Sequence, residues 1–193
     1  MSALGPDWYD QVLPGSRALD PLGDSSALPV YEAAADLVPA LPVIDLGCGT
    51  GRFAELLRLN GHERGYWGFD FAPAVVAEAE RYCPSRSFAV QDLRLWEHGP
   101  EFPDTCCYVL LEVLEHLDDD VDAIRRIPPG QTVVLSVPNF WSESHVRRFE
   151  QPGDVFRSYG ALLDFDAWRS VAFETPGRRI HVFRATRRAD VLQ

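Results

Sequence analysis

Val43-Ile44-Asp45-Leu46-Gly47-Cys48-Gly49-Thr50-Gly51-Arg52-Phe53 is the stretch on which the fold turns. A short apolar run with the character of a buried strand meets three alternating glycines. It then passes straight into a segment that places Phe53, Leu56 and Leu57 on one helical face. Glycine here allows positive φ and lets a ligand come close to the backbone, because no Cβ intervenes. The N–H groups at the helix start favour a carboxylate or phosphate. A dinucleotide fingerprint, G-x-G-x-x-G, would need glycine or alanine at 52, but that position is Arg52 and the third glycine comes one residue early. A P-loop fails too, since the 193-residue chain has no lysine at all.

Outward from this turn, apolar runs alternate with helix-length amphipathic stretches. The runs are Tyr66-Trp67-Gly68-Phe69, Ser87-Phe88-Ala89-Val90, Cys106-Cys107-Tyr108-Val109-Leu110-Leu111 and Thr132-Val133-Val134-Leu135-Ser136-Val137. Their lack of apolar/polar alternation suits strands covered on both faces, as in parallel sheets. Pro73 opens one crossover helix. Asp118-Asp119-Asp120 loads the start of another, which stops before Pro128-Pro129-Gly130. A helix is expected near residues 29–37. Residues 171–174 and 179–186 flank Thr175-Pro176-Gly177 as a hairpin. The pattern predicts an α/β, doubly wound, mostly parallel sheet with a C-terminal antiparallel strand. The length suits one domain spanning 1–193: an N-terminal arm and helix (1–38), a ligand-binding core (41–140), and a lid with the hairpin (141–193).

Acids close the strands that follow the glycine turn. Asp45 lies within the first run, Asp70 ends the second and Asp92 follows the third. In an open parallel sheet, ligands bind beyond the carboxyl ends of the strands, so three carboxylates arrive at one edge. Vicinal ribose hydroxyls and an exocyclic amine are donors that carboxylates accept. The constellation suits an adenosine whose remaining part is positively charged, whereas a pyrophosphate would be repelled.

These residues carry a resemblance. Val43 to Phe53 resembles motif I of the class I S-adenosylmethionine-dependent methyltransferases in its D-L-G-C-G-T-G form, and the likeness extends over most of residues 41–140. It implies a Rossmann-like methyltransferase sheet. It also implies that Asp45, Gly47, Cys48, Gly49 and Gly51 surround the methionine part of the cofactor, S-adenosylmethionine. Asp70 and Phe71 would hold ribose and flank adenine, Asp92 and Leu93 would meet adenine, and Glu112 would contact cofactor or substrate. Glu112-Val113-Leu114-Glu115-His116-Leu117 is similar to the E-V-L-E-H segment of the ubiquinone-biosynthesis O-methyltransferase-like subgroup. The function so implied is methylation of a small molecule, at oxygen.

A hydroxyl acceptor is helped by a general base. With lysine absent, His116, His145 and Glu115 are the catalytic candidates, each with a plain structural role as its alternative. Glu112, Glu115 and His116 share a face if their segment is helical, and with His145 they have ligand types that suit Mg²⁺ or Mn²⁺. That set resembles the metal-dependent RNA 3′-terminal 2′-O-methyltransferases, but E-V-L-E-H also occurs in metal-free relatives, and no metal is assigned. A substrate wall is expected from Trp8 and Tyr9 and from residues 140–163, where Trp141, Phe149, Phe156 and Tyr159 interleave with arginines.

Composition narrows the partners. A net charge of −11 disfavours nucleic acid and anionic membranes. Residues 141–193 are mildly basic, as solvated surface or as a face for an anionic substrate. No apolar run is long enough to span a bilayer, and the first residues lead us to expect no secretory signal. Four cysteines without a framework suit reduced thiols, and cytoplasmic localisation is expected. Three rivals stand beside a small-molecule methyltransferase: a non-catalytic binder of the same cofactor, a nicotinamide oxidoreductase, which Arg52 and the early third glycine disfavour, and the RNA enzyme just named. Oligomeric state is left open.

Overall fold

The computed structural model describes residues 25–189 together with Gly5, Asp7, Trp8 and Gln11. Tyr9 of the expected substrate wall lies outside the described residues. Helix α1 (Leu28–Ala35) precedes β1 (Val43–Leu46), α2 (Arg52–Leu59), β2 (Tyr66–Asp70), α3 (Pro73–Tyr82) and β3 (Ser87–Val90). Then come β4 (Cys107–Leu111), α4 (Asp120–Arg125), β5 (Thr132–Pro138), α5 (Pro152–Tyr159), β6 (Leu163–Ala172) and β7 (Arg179–Arg187). The seven strands form one sheet in the order β3-β2-β1-β4-β5-β7-β6. The first five pair in parallel, and β7 runs antiparallel to both β5 and β6. Chain order reverses between β1 and β4, so the crevice beyond their carboxyl ends is where a ligand is expected.

The central strands are buried along their length apart from Thr132 at the start of β5, and their alternate residues feed two cores. Ile44, Tyr108, Leu110, Val133 and Leu135 pack with Leu114, Ile124, Val155 and Tyr159 on one face. Val43, Cys107, Val109 and Val134 pack with Val30, Phe53 and Leu57 on the other. Each such fully buried Val, Leu or Ile contributes about 1.5–3 kcal/mol of transfer free energy. Arg187, 1% exposed, sends its guanidinium to the carbonyls of Ile124 (3.2 Å) and Arg125 (3.4 Å), capping the C-terminal end of α4. No helix among the described residues is long and apolar enough to cross a membrane.

Three expectations need correction. Ser87–Val90 is an edge strand and largely exposed, so its apolar run does not mark two-sided burial. The hairpin is longer than its turn signal suggested. β6 begins at Leu163 and carries a bulge between Phe165 and Ala167, which breaks its alternation. Phe149 and Tyr159 are core residues, not lid residues, because α5 packs its buried face on the sheet.

Candidate active site

Beyond the carboxyl ends of β1, β2 and β4 lies a cleft of about 410 Å³, within the usual size range of small-molecule sites. The glycine turn forms its floor. Gly47, Gly49 and Gly51 have φ of 88°, 52° and 77°, left-handed values that admit glycine readily. The N–H groups of Gly47 and Cys48 bond the Phe69 carbonyl at 2.7 and 3.0 Å, which locks the turn to β2. A Cβ at Gly49 would meet nothing within 4 Å, so this part of the floor is open to a ligand.

Asp45, Gly47, Cys48, Gly49, Asp70, Phe71, Asp92, Leu93, Glu112 and His116 all line this one cleft. Gly51 does not. It starts α2, and a Cβ there would press on Ala79 at 3.1 Å and Phe88 at 3.2 Å, so it shapes the turn from beneath. Glu115 and His145 also lie outside the lining, one layer behind His116. Tyr31 of α1, Phe53, Arg94, Val113 and the Leu117-Asp118-Asp119 loop also line the cleft, although the sequence did not mark them as site residues. Trp141, Phe149, Phe156 and Tyr159 do not, so the expected aromatic wall is not there. Phe156 instead borders a separate groove with Leu163 and Trp168.

The three strand-end acids are held differently. The Tyr66 hydroxyl donates to Asp45 inside the protein. Burial, offset in part by that hydrogen bond and reinforced by the Asp70 charge, pushes Asp45 up to about 7. Asp70 accepts the N–H groups of Gly49 and Ala72, both at 3.1 Å, so its carboxylate ties the glycine turn to the start of α3. Asp92 caps the one-turn 3₁₀ segment Leu93–Leu95 and is engaged by the Arg94 guanidinium at 2.6 and 3.0 Å. The guanidinium and backbone donors hold its carboxyl below the ordinary aspartate range.

Glu112 sits at φ 56°, an uncommon conformation for a residue with a side chain. The segment after β4 is therefore not a helix with one acidic face. Glu112 turns toward β5, where the Ser136 hydroxyl donates to it at 2.7 Å, while Leu114–His116 forms one 3₁₀ turn. Burial raises Glu112 to about 7. Burial, and then the Glu112 charge, raise Glu115 well above the usual range.

Arg147 brings the second histidine in. Its guanidinium donates to the carbonyls of Leu114 (2.6 Å), Leu117 and Asp118 (3.1 Å), and pairs with Asp120 at 3.2 Å. Asp120 also accepts the Tyr159 hydroxyl at 2.5 Å. With Val146 N–H on the Glu115 carbonyl at 2.8 Å, the loop after β5 is fastened to the loop after β4. Arg147 thus serves the site although half of an Arg-Arg pair reads as ordinary surface charge. The His116 and His145 rings stand 5.0 Å apart edge to face. Each Nδ1 bonds a backbone carbonyl at 3.0 Å, Ser144 for His116 and Phe140 for His145. Burial lowers both histidines, His116 to about 4.

The donor set fits the ligand that the sequence implies. Six acids border the cleft with Arg94 as the one arginine among the described lining residues, and Arg94 is already engaged by Asp92. Two of the acids, Asp45 and Glu112, are held near 7 by burial without a cationic partner. A nucleoside with hydroxyl donors and a positively charged extension supplies what this surface lacks.

Comparison with known proteins agrees. The model of a methyltransferase-domain family matches residues 26–193. Trans-aconitate 2-methyltransferase of Methylobacterium nodulans is 29% identical over 175 residues, covering 79% of this chain and 66% of that protein. Ubiquinone biosynthesis O-methyltransferase of Xanthomonas campestris pv. campestris is 30% identical over 151 residues, 72% of this chain and 59% of that protein. The chain thus spans less than two thirds of either relative. Among solved structures, N-methyltransferase NodS from Bradyrhizobium japonicum WM9, in complex with S-adenosylhomocysteine, superposes with a TM-score of 0.71. The identity there is 17%, over 94% of this chain and 96% of that one. By family match, sheet order and glycine turn together, the chain belongs to the methyltransferase-domain family, among the class I S-adenosylmethionine-dependent methyltransferases.

Proposed function

We propose that this chain transfers a methyl group from S-adenosylmethionine to an oxygen of a small-molecule acceptor. The observation that carries this reading is the convergence of Asp45, Asp70 and Asp92 with the glycine turn on one acid-rich cleft. Asp70 and Phe71 hold ribose and adenine, and Asp92 and Leu93 border adenine. Gly47, Cys48, Gly49 and Asp45 receive the methionine part, with Gly51 setting the turn. When bound, the cofactor supplies an electrophilic methyl group on a sulfonium.

The chain's own residues orient and exclude water. Val113, Leu111, Phe53 and Leu93 give the cleft apolar walls, in which the remaining charges act strongly. Glu112 and His116 border the side from which an acceptor would enter. His116 takes a proton only near pH 4, which matches poorly with a base working at neutral pH. Its part is orientation, with Glu115 and His145 as its supports. Oxygen as acceptor atom draws support from the ubiquinone-biosynthesis relative and the E-V-L-E-H segment.

Turnover of methyl-labelled S-adenosylmethionine tests the reading against a panel of phenols, carboxylic acids, amines and short RNA. O-methylated small molecules are expected. Tight binding of S-adenosylhomocysteine with no transfer to any acceptor would leave the non-catalytic binder, and transfer to RNA alone would leave the RNA enzyme.

Asp45 gives a pH prediction. Its folded value near 7 exceeds the ordinary 3.8, so the folded chain holds this proton more tightly than the unfolded one. The unliganded fold therefore loses stability through Asp45 as pH rises from about 4 to about 7. The α-ammonium group of the ligand's amino-acid part favours the carboxylate, so binding below pH 7 expels the proton. Affinity for S-adenosylhomocysteine should rise roughly tenfold from pH 6 to pH 8. In Asp45→Asn, calorimetry should find this rise reduced, whereas an undiminished rise would clear Asp45 of the role.

A further inference from the structure

We infer that Arg178, presented over the Phe140 ring by the turn between β6 and β7, anchors a carboxylate carried by the methyl acceptor, so that the acceptor class is a hydroxylated aromatic carboxylic acid. The hydroxyl rests on the methyl-transfer reading; the carboxylate does not. Four arginines lie in the loop after β5 and in the turn after β6. Arg147 donates to three carbonyls and pairs with Asp120, and Arg148 pairs with Glu150. Arg179 donates to the Ser170 hydroxyl at 2.7 Å and to the Ser170 carbonyl at 2.6 Å. The Arg178 guanidinium makes no hydrogen bond among the described residues, and its nearest acid, Glu174, stands 3.8 Å away. It lies 4.6 Å over the Phe140 ring, which stacks on Phe173 at 5.6 Å and 10°. Both rings pack against the core, so the platform is firm. A guanidinium laid on a ring keeps its fork of N–H groups for an outside partner, and a carboxylate matches that fork in two bonds.

The turn that carries Arg178 is held in place on both sides. Asn139, just past β5, accepts the Arg179 N–H at 2.7 Å and donates to the Gly177 carbonyl at 3.1 Å. Glu174 at the start of the turn has φ 50°, a strained value for a residue with a side chain. Packed rings join this turn to the acceptor side of the cleft. His116 lines the cleft, and His145 stands 5.0 Å behind it. Phe140 lies 5.8 Å from His145 and accepts the bond from its Nδ1 through the backbone carbonyl at 3.0 Å. The Arg178 charge is felt along this run: burial first, and then Arg178, hold the His145 imidazole below its usual range. The cleft itself is bordered by six acids, and its arginine is engaged by Asp92. An anionic end of the acceptor is therefore repelled from the methyl-bearing pocket and drawn to Arg178, which orients the opposite end inward. The rings along the way suit an aromatic body between the two ends.

The chain with S-adenosylhomocysteine present should be titrated with p-hydroxycinnamate and, separately, with the uncharged p-hydroxycinnamamide. The arginine Nε–H signals are followed by NMR, that of Arg178 being identified by its loss in Arg178→Gln. The carboxylate is expected to bind at least about tenfold more tightly than the amide and to move the Arg178 signal. Arg178→Gln should erase this preference while S-adenosylhomocysteine still raises its Tm as it does that of the wild type. Arg178→Lys keeps the charge without the fork and should retain only part of the preference. Equal affinity for carboxylate and amide in the wild type overturns the anchor, as does an Arg178 signal that stays in place while the carboxylate binds. No binding of the carboxylate up to about 10 mM overturns it too, and so does a preference undiminished in Arg178→Gln. Carboxylate binding at Arg178 without methyl transfer to any acceptor would instead strike the methyl-transfer reading and leave the anchor standing.

Discussion

Asp70→Ala is expected to raise the Kd for S-adenosylhomocysteine by about five- to 150-fold, equivalent to about 1–3 kcal/mol. Two losses combine. The ribose donors lose their buried acceptor, and the N–H groups of Gly49 and Ala72 lose the carboxylate that orders the glycine turn and the start of α3. Asp70→Asn retains one carbonyl oxygen and should lose less. Calorimetry at fixed pH checks both variants. Equal affinity in wild type and Asp70→Ala would remove Asp70 from the binding role and leave it a purely structural cap.

Gly47→Ala has the largest expected effect on the fold around the site. At φ 88° a side chain is strained, and the added Cβ would stand 2.4 Å from Val113 Cγ2, which belongs to the cleft wall. Left-handed strain of about 1 kcal/mol and overpacking of about 1–3 kcal/mol combine. At about 2–4 °C per kcal/mol for a chain of this size, Tm should drop by roughly 5–15 °C. Gly49→Ala is the control. It carries the positive φ without a neighbour within 4 Å, so it should cost only the strain. If the two variants melt together, the packing of the turn against Val113 is wrong.

The mostly parallel sheet and the position of the cleft at its edge were legible because they rest on local signals. Four-residue apolar runs marked β1 and β2, and the glycine turn with Asp45 and Asp70 named the edge where the cleft lies. What was hidden depends on contacts distant in the chain. Tyr31 reaches the cleft from a helix whose sequence says only that it is apolar on one side, and burial pushes its hydroxyl up to about 12. Phe149 and Tyr159 look like lid aromatics until α5 is packed, when both turn out to fill the core. The spacing of Glu112, Glu115 and His116 suggested one helical face, but a positive φ at Glu112 breaks the helix, so Glu112 meets Glu115 from the end of β4 and not along a shared face. Arg147 could be recognised as the clamp only once its three carbonyl partners, contributed by residues 114–118, were in place.

A crystal structure grown with S-adenosylhomocysteine tests the central claim most directly. The nucleoside should lie in the cleft with its ribose hydroxyls on Asp70 and the methionine part over Gly47 and Gly49. A ligand bound elsewhere, or in the cleft with its ribose turned away from Asp70, would contradict the assignment of this edge as the cofactor site.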